Sequence, residues 1–311
     1  MEHVKFISIS SGGARAVTFI GALKALKQHY GLEEHLPNIV GFAGCSAGAI
    51  IAMCLCIGFT IDELYQQLEL LSFDAIAPEF DISLFLHDYG LNSGNMFKQL
   101  IGSMLQSKGL SYSITFKTLK QYFNSKLIVV TTALATEGTQ HVYLSADTHP
   151  NLSVVEAIYM SACVPVLFKP AQLNGILHVD GALTMTSPEY FDPEKTLVLV
   201  NTLDKTLPCT NLTNYLTRLL SASVDIQQPD SYASKCRLCI KIKLPDDLAQ
   251  CGAVDRGHNE SKSKRFSQIG FYTVLAYMNS NFTLTMNTIL QMVLNNFVEF
   301  YQSSENDDTA Y

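Results

Sequence analysis

Short apolar runs alternate with longer amphipathic stretches along the first two-thirds of the chain. Residues 4–9 form an apolar run of strand length that stops at Ser11-Gly12-Gly13. Residues 16–30 follow with Val17, Ile20, Leu23, Ala25 and Leu26 near one face, the period of a helix packed on a core. A second apolar run at 39–43, a Gly-rich turn and a buried-helix pattern from Ala49 repeat the alternation. Thr60 is placed to cap a further helix. Residues 126–134 (Lys-Leu-Ile-Val-Val-Thr-Thr-Ala-Leu) read as a buried strand. A helix is predicted over 153–160, with Ser153 as its cap and Glu156 completing a capping box. Strands are predicted over 176–179 and 196–201.

This order predicts an α/β fold: a three-layer sandwich with a mostly parallel central sheet and helices on both faces. Residues 73–110 break the pattern with Pro78, Gly90, Gly94 and scattered aromatics, and read as loops and short helices over a pocket. The last third is organised differently. A helix is predicted over 211–224, a strand over 236–244, a polar stretch over 245–264 and helices over 266–278 and 283–301. The acidic end from about residue 303 is expected to be disordered. These shifts divide the chain into a domain over 4–204 and a C-terminal extension over 205–311 packed on it.

Of 311 residues, 48% are hydrophobic and 16% charged, ample for a large core. A net charge of −7 without a basic stripe argues against nucleic-acid binding. The longest apolar run, Ala47 to Phe59, falls short of the roughly 20 residues that span a bilayer. The N-terminal residues carry no signal-peptide pattern, and eight cysteines lie mostly in apolar runs. A cytoplasmic protein with reduced thiols is expected. Cys236-Arg237-Leu238-Cys239 has the spacing of a zinc half-site, but alternation with Ile240 and Ile242 favours a strand.

Four segments carry candidate chemistry. Gly44-Cys45-Ser46-Ala47-Gly48 is a Gly-x-Ser-x-Gly pattern between a predicted strand and helix. A serine at such a turn projects its hydroxyl beside a helix N-terminus, although a plain Gly-rich turn would look the same. Ser10-Ser11-Gly12-Gly13-Ala14-Arg15 ends the first strand, where successive amides can converge on an anion. It lacks the Gly-x-Gly-x-x-Gly spacing of a dinucleotide site. Asp180-Gly181-Ala182 puts a carboxylate at a strand end, as an ordinary Asp-Gly turn also would. Ser161 to Pro170, with small residues and prolines, reads as a tight loop lining a site or as a rigid connection.

Taken together, these segments resemble the patatin-like phospholipase family, over roughly residues 4–204. Ser11-Gly12-Gly13-Ala14-Arg15-Ala16 is similar to the family's oxyanion loop, Gly44 to Gly48 to its nucleophile elbow, and Asp180-Gly181-Ala182 to its catalytic aspartate motif. The Ser161 to Pro170 segment resembles the loop that precedes that aspartate, and Ile20 to Leu26 the family's first helix. The resemblance implies a lipid acyl hydrolase acting on phospholipids or lysophospholipids, with Ser46 as nucleophile and Asp180 as base. It further implies an oxyanion hole of Gly12, Gly13 and Ala14, with Arg15 bracing the loop or meeting a phosphate. The mechanism requires no cofactor and no metal. The expected partners are a phospholipid or other lipid ester and, transiently, a membrane surface; nucleic acid is not expected, and oligomeric state stays open.

Two residues depart from the family pattern. Ser11 replaces a glycine and would be strained if its position needs a positive φ, and Ala16 replaces the loop's last glycine. They motivate one alternative, a catalytically silent binding protein of the same fold; a broad carboxylesterase or neutral-lipid lipase is the other. Histidines test the dyad. His258 could complete a Ser-Asp-His triad, while His178 shares a strand face with Asp180.

Overall fold

A computed structural model describes residues 1–70, 82–202, 231–244 and 260–278. The helices expected over 211–224 and 283–301, the acidic end and His258 lie outside the described residues, as do most of 245–264 and the part of the irregular insertion over 73–81. The strands are β1 (Phe6–Ile9), β2 (Gly41–Cys45), β3 (Gly90–Asn92), β4 (Lys126–Ala135), β5 (Gly138–Leu144), β6 (Val166–Phe168), β7 (Ala171–Leu173), β8 (Ile176–Asp180), β9 (Thr196–Thr202) and β10 (Leu238–Lys243). The helices are α1 (Val17–Tyr30), α2 (Leu32–His35), α3 (Ala47–Cys56), α4 (Ile61–Leu70), α5 (Ile82–Asp88), α6 (Asn95–Ser107), α7 (Phe116–Tyr122), α8 (Val154–Ala162), α9 (Ser231–Lys235) and α10 (Glu260–Met278).

Eight strands form one sheet in the order β10-β9-β1-β2-β4-β8-β7, with β5 paired to β4 beside this path. Strands β10, β9, β1, β2 and β4 are parallel, while β5 and β8 run antiparallel to β4. The sheet is thus mostly parallel, as the alternation predicts. Side chains alternate between two unequal layers. Ile7, Ile9, Phe42, Leu127, Val129, Leu197, Leu199, Ile240 and Ile242 join the main core, which α1, α3 and α8 also build. Ala43, Ile128, Cys45 and Val130 face the other way, onto Phe191 and Met185.

Helix ends follow local chemistry where nothing stronger competes. Thr60 and Glu63 form a reciprocal capping box at α4, with Glu63 N donating to Thr60 Oγ1 and Thr60 N to Glu63 Oε2. The box expected at Ser153 does not form. Ser153 makes no side-chain cap bond, and both Glu156 oxygens instead accept from Lys98 Nζ at 2.8–2.9 Å. An ammonium in reach offers a carboxylate a stronger bond than a neutral amide does.

The decisive feature is how β2 and β8 share β4. Residues 129–135 of β4 pair with β5 along one edge. On the opposite edge, Lys126–Val130 pair with β2 and Thr131–Leu134 with β8. The two strands therefore meet end to end. Cys45 stands opposite Val130 and Asp180 opposite Thr131, so the C-terminal ends of β2 and β8 converge on one point.

Candidate active site

Ser46 follows β2 directly and sits at the N-cap of α3 with φ 54° and ψ −126°. That conformation costs a non-glycine residue about 1–3 kcal/mol and persists only where the surroundings impose it. An N-cap serine usually accepts a bond from its own helix. Ser46 makes no such bond, and its Oγ donates to Asp180 Oδ2 at 2.6 Å. Both side chains are buried, 7% and 3% exposed.

Close backbone approach explains the glycines around it. A Cβ on Gly48 would lie 2.3 Å from the Ser10 carbonyl oxygen, so only glycine lets the first turn of α3 press against the end of β1. A Cβ on Gly181 would lie 2.4 Å from the Val130 carbonyl oxygen and 2.9 Å from Cys45 Sγ, at the junction of β2 with β8. Gly44 is equally confined by the backbone of Gly48 and Ala49.

Asp180 is held at both oxygens. Oδ2 accepts from Ser46, Oδ1 accepts from the Ala182 amide at 2.8 Å, and its own N–H donates to the Cys163 carbonyl at 3.0 Å. Burial pushes its carboxyl up to about 6, against the two hydrogen bonds, which pull it down. Burial also holds the neighbouring Cys45 thiol protonated, its titration raised well above the ordinary range.

The glycine turn lies beside this pair. Ser11 N donates to the Thr186 carbonyl and Arg15 N to the Gly12 carbonyl, whereas the amides of Gly12, Gly13 and Ala14 have no backbone acceptor among the described residues. The positive φ of the turn, 51°, falls on Gly13 and not on Ser11, so the serine there carries no backbone strain. Ala16 takes an ordinary helical conformation at the N-cap of α1, its methyl in the main core. Arg15 is buried, and its Nε donates to the Gly12 carbonyl at 3.2 Å. Asn201, at the end of β9, reaches the Arg15 carbonyl through Nδ2 at 3.4 Å.

His178 is buried two residues before Asp180 on β8, and burial, then His149, lowers its titration. No histidine nitrogen is bonded to Ser46 or Asp180 among the described residues. Sequence reasoning includes Ser161 in a site-lining segment but misses its contact with Ser46. It ends the helix at Met160 and gives Ser161 to the following loop, but α8 runs to Ala162 and Ser161 Oγ accepts the Ser46 amide at 2.8 Å. The available signal was the motif Ser161-Ala162 itself, just before Cys163-Val164-Pro165.

A buried serine on a strained strand-to-helix turn, a carboxylate on its hydroxyl and a glycine turn alongside define a class. The model for the patatin-like phospholipase family matches residues 7–190, more than half of the chain, and the chain belongs to that family. Its relatives include uncharacterized protein R571 of Acanthamoeba polyphaga mimivirus, 27% identical over 266 residues, with 80% of this chain and 86% of that protein covered. Probable lipid hydrolase 463L of Invertebrate iridescent virus 6 is 29% identical over 194 residues, 60% of this chain and 62% of that protein, so less than two-thirds of the latter is spanned. Among solved structures, VipD from Legionella pneumophila matches with a TM-score of 0.65 at 14% identity, over 89% of this chain and 67% of VipD. At that identity the likeness concerns the fold. No helix among the described residues is long and apolar enough to cross a membrane.

Proposed function

We propose that this chain is a lipid acyl hydrolase that cleaves fatty acyl esters of phospholipids or lysophospholipids through Ser46, Asp180 and an acyl-enzyme. The 2.6 Å contact between Ser46 Oγ and Asp180 Oδ2 carries this reading. Asp180 takes the hydroxyl proton as Oγ attacks the ester carbonyl. The carbonyl oxygen becomes an oxyanion, which the amides of Gly12, Gly13 and Ala14 stabilise; one such donor is typically worth about 3–4 kcal/mol in the transition state. Arg15 keeps the turn in shape through the Gly12 carbonyl. As the tetrahedral intermediate collapses, the leaving alcohol takes the proton from Asp180. Water then attacks the acyl-enzyme, giving its proton to Asp180, and the fatty acid leaves as Ser46 regains a proton. A carboxylate pushed up to about 6 is a better base than one in water, and it is still ionised at neutral pH.

The name of the iridescent-virus relative, probable lipid hydrolase, points the same way. A fluorophosphonate probe tests the reading. Wild-type protein should be labelled on the peptide containing Ser46, and Ser46→Ala protein should not. Absence of label on folded wild type would favour the silent binding protein instead.

A further inference from the structure

We propose that Ser161, in the last turn of α8, is a positioning residue that sets the spacing of Ser46 and Asp180; this rests on reading those two as nucleophile and base. Four consecutive residues, Met160 to Cys163, grip the point where β2 and β8 meet. Ser161 Oγ accepts the Ser46 amide at 2.8 Å. Two residues on, the Cys163 carbonyl accepts the Asp180 amide at 3.0 Å. The Met160 carbonyl accepts Thr131 Oγ1 at 3.0 Å, and Thr131 is the residue opposite Asp180 in the sheet. One turn of helix thus holds the backbone of both halves of the dyad, independently of the bond between their side chains.

The Ser46 end needs this more than the Asp180 end. Asp180 is anchored by sheet pairing and by the Ala182 amide. Ser46 lies past the end of β2 at φ 54°, where no local preference holds a serine. Its buried amide has Ser161 Oγ as acceptor, and Ser161 is fully buried. Removing that oxygen leaves a void smaller than a water molecule, so solvent cannot replace it. The amide is then unsatisfied, the elbow relaxes, and Oγ swings out of line with Asp180 and the oxyanion amides. Reaction geometry is sensitive to such shifts, whereas ester binding alone is not.

The test is the kinetics of Ser161→Ala and Ser161→Thr on a short soluble ester, with thermal unfolding of each protein. Ser161→Ala should lower kcat by about 10- to 100-fold with KM changed less than about twofold. The acid limb of its pH profile should stay in place, and Ser161→Thr, which keeps the oxygen, should recover most of the rate. A folded Ser161→Ala enzyme with wild-type kcat overturns the proposal. So does an acid limb that moves down with kcat, the mark of a loosened and wetted Asp180 pocket. Should the alanine variant not fold, amide hydrogen exchange of Ser46 in the wild type decides. Protection as deep as that of the β2 amides is expected, and exchange at the rate of an exposed loop amide overturns the proposal. The two failures are distinguishable: a folded wild type inactive on every ester overturns the hydrolase reading and this proposal with it, whereas an active wild type with an unprotected Ser46 amide overturns this proposal alone.

Discussion

Ser46 Oγ and Asp180 Oδ2 lie 2.6 Å apart across 134 positions of sequence, because β2 and β8 end against the same edge of β4. One register step in either strand would turn the side chain to the other face of the sheet. The contact between the two side chains is therefore as well fixed as the pairing of Cys45 with Val130 and of Asp180 with Thr131.

Asp180→Asn removes the proposed proton acceptor while keeping the shape. Ester hydrolysis should fall by about 10²- to 10⁴-fold, whereas His258→Ala should keep most of the activity. Initial rates on a chromogenic ester check both. The opposite pattern would indicate a triad.

Activity should rise with pH through about 6, where the buried Asp180 ionises and becomes able to accept the Ser46 proton. A profile of kcat/KM against pH checks this. An acid limb near the ordinary carboxylate value of 3.8 would mean that the carboxylate is solvated or is not the base.

The same burial makes Asp180 a stability cost at neutral pH. Its folded titration lies above its ordinary value, so the folded state holds the proton longer than the unfolded chain. Stability from this group therefore falls as pH rises from about 4 to about 6, and the deficit persists above that range. A displacement of about 2 pH units corresponds to about 3 kcal/mol at most. Asp180→Asn should thus be more stable than wild type at pH 8 by up to that amount, with the difference gone below about pH 4. Urea unfolding at the two pH values measures it.

Gly48→Ala would set a methyl 2.3 Å from the Ser10 carbonyl oxygen and 2.5 Å from that of Ile9. Both are backbone atoms and cannot rotate aside, so α3 and the end of β1 must separate. A loss of about 1–3 kcal/mol in urea unfolding is expected, together with lower kcat. An unchanged unfolding midpoint would show that the two elements are not in close contact.

Much of this was legible because it is local. The apolar runs at 4–9, 39–43 and 126–134 gave β1, β2 and β4 to within a few residues, and the strand-turn-helix around Ser46 is written in adjacent positions. The strand β5 was not legible, since most of its residues are exposed and lack a period-two pattern. Nor was the direction of β8: 176–179 reads as a strand either way, and only its pairing with β4 makes it antiparallel. Glu156 looked like a capping residue because Lys98 is distant in sequence and close in space. Ser161 was read as part of a site-lining segment, but its bond to the Ser46 amide was not legible for the same reason, the two lying 115 positions apart.

The most direct measurement is product analysis on phospholipid vesicles, with wild-type and Ser46→Ala proteins side by side. Free fatty acid and lysophospholipid should accumulate with the wild type and remain at background with the variant. Equal release by the two proteins, both folded, would contradict a reaction that runs through Ser46.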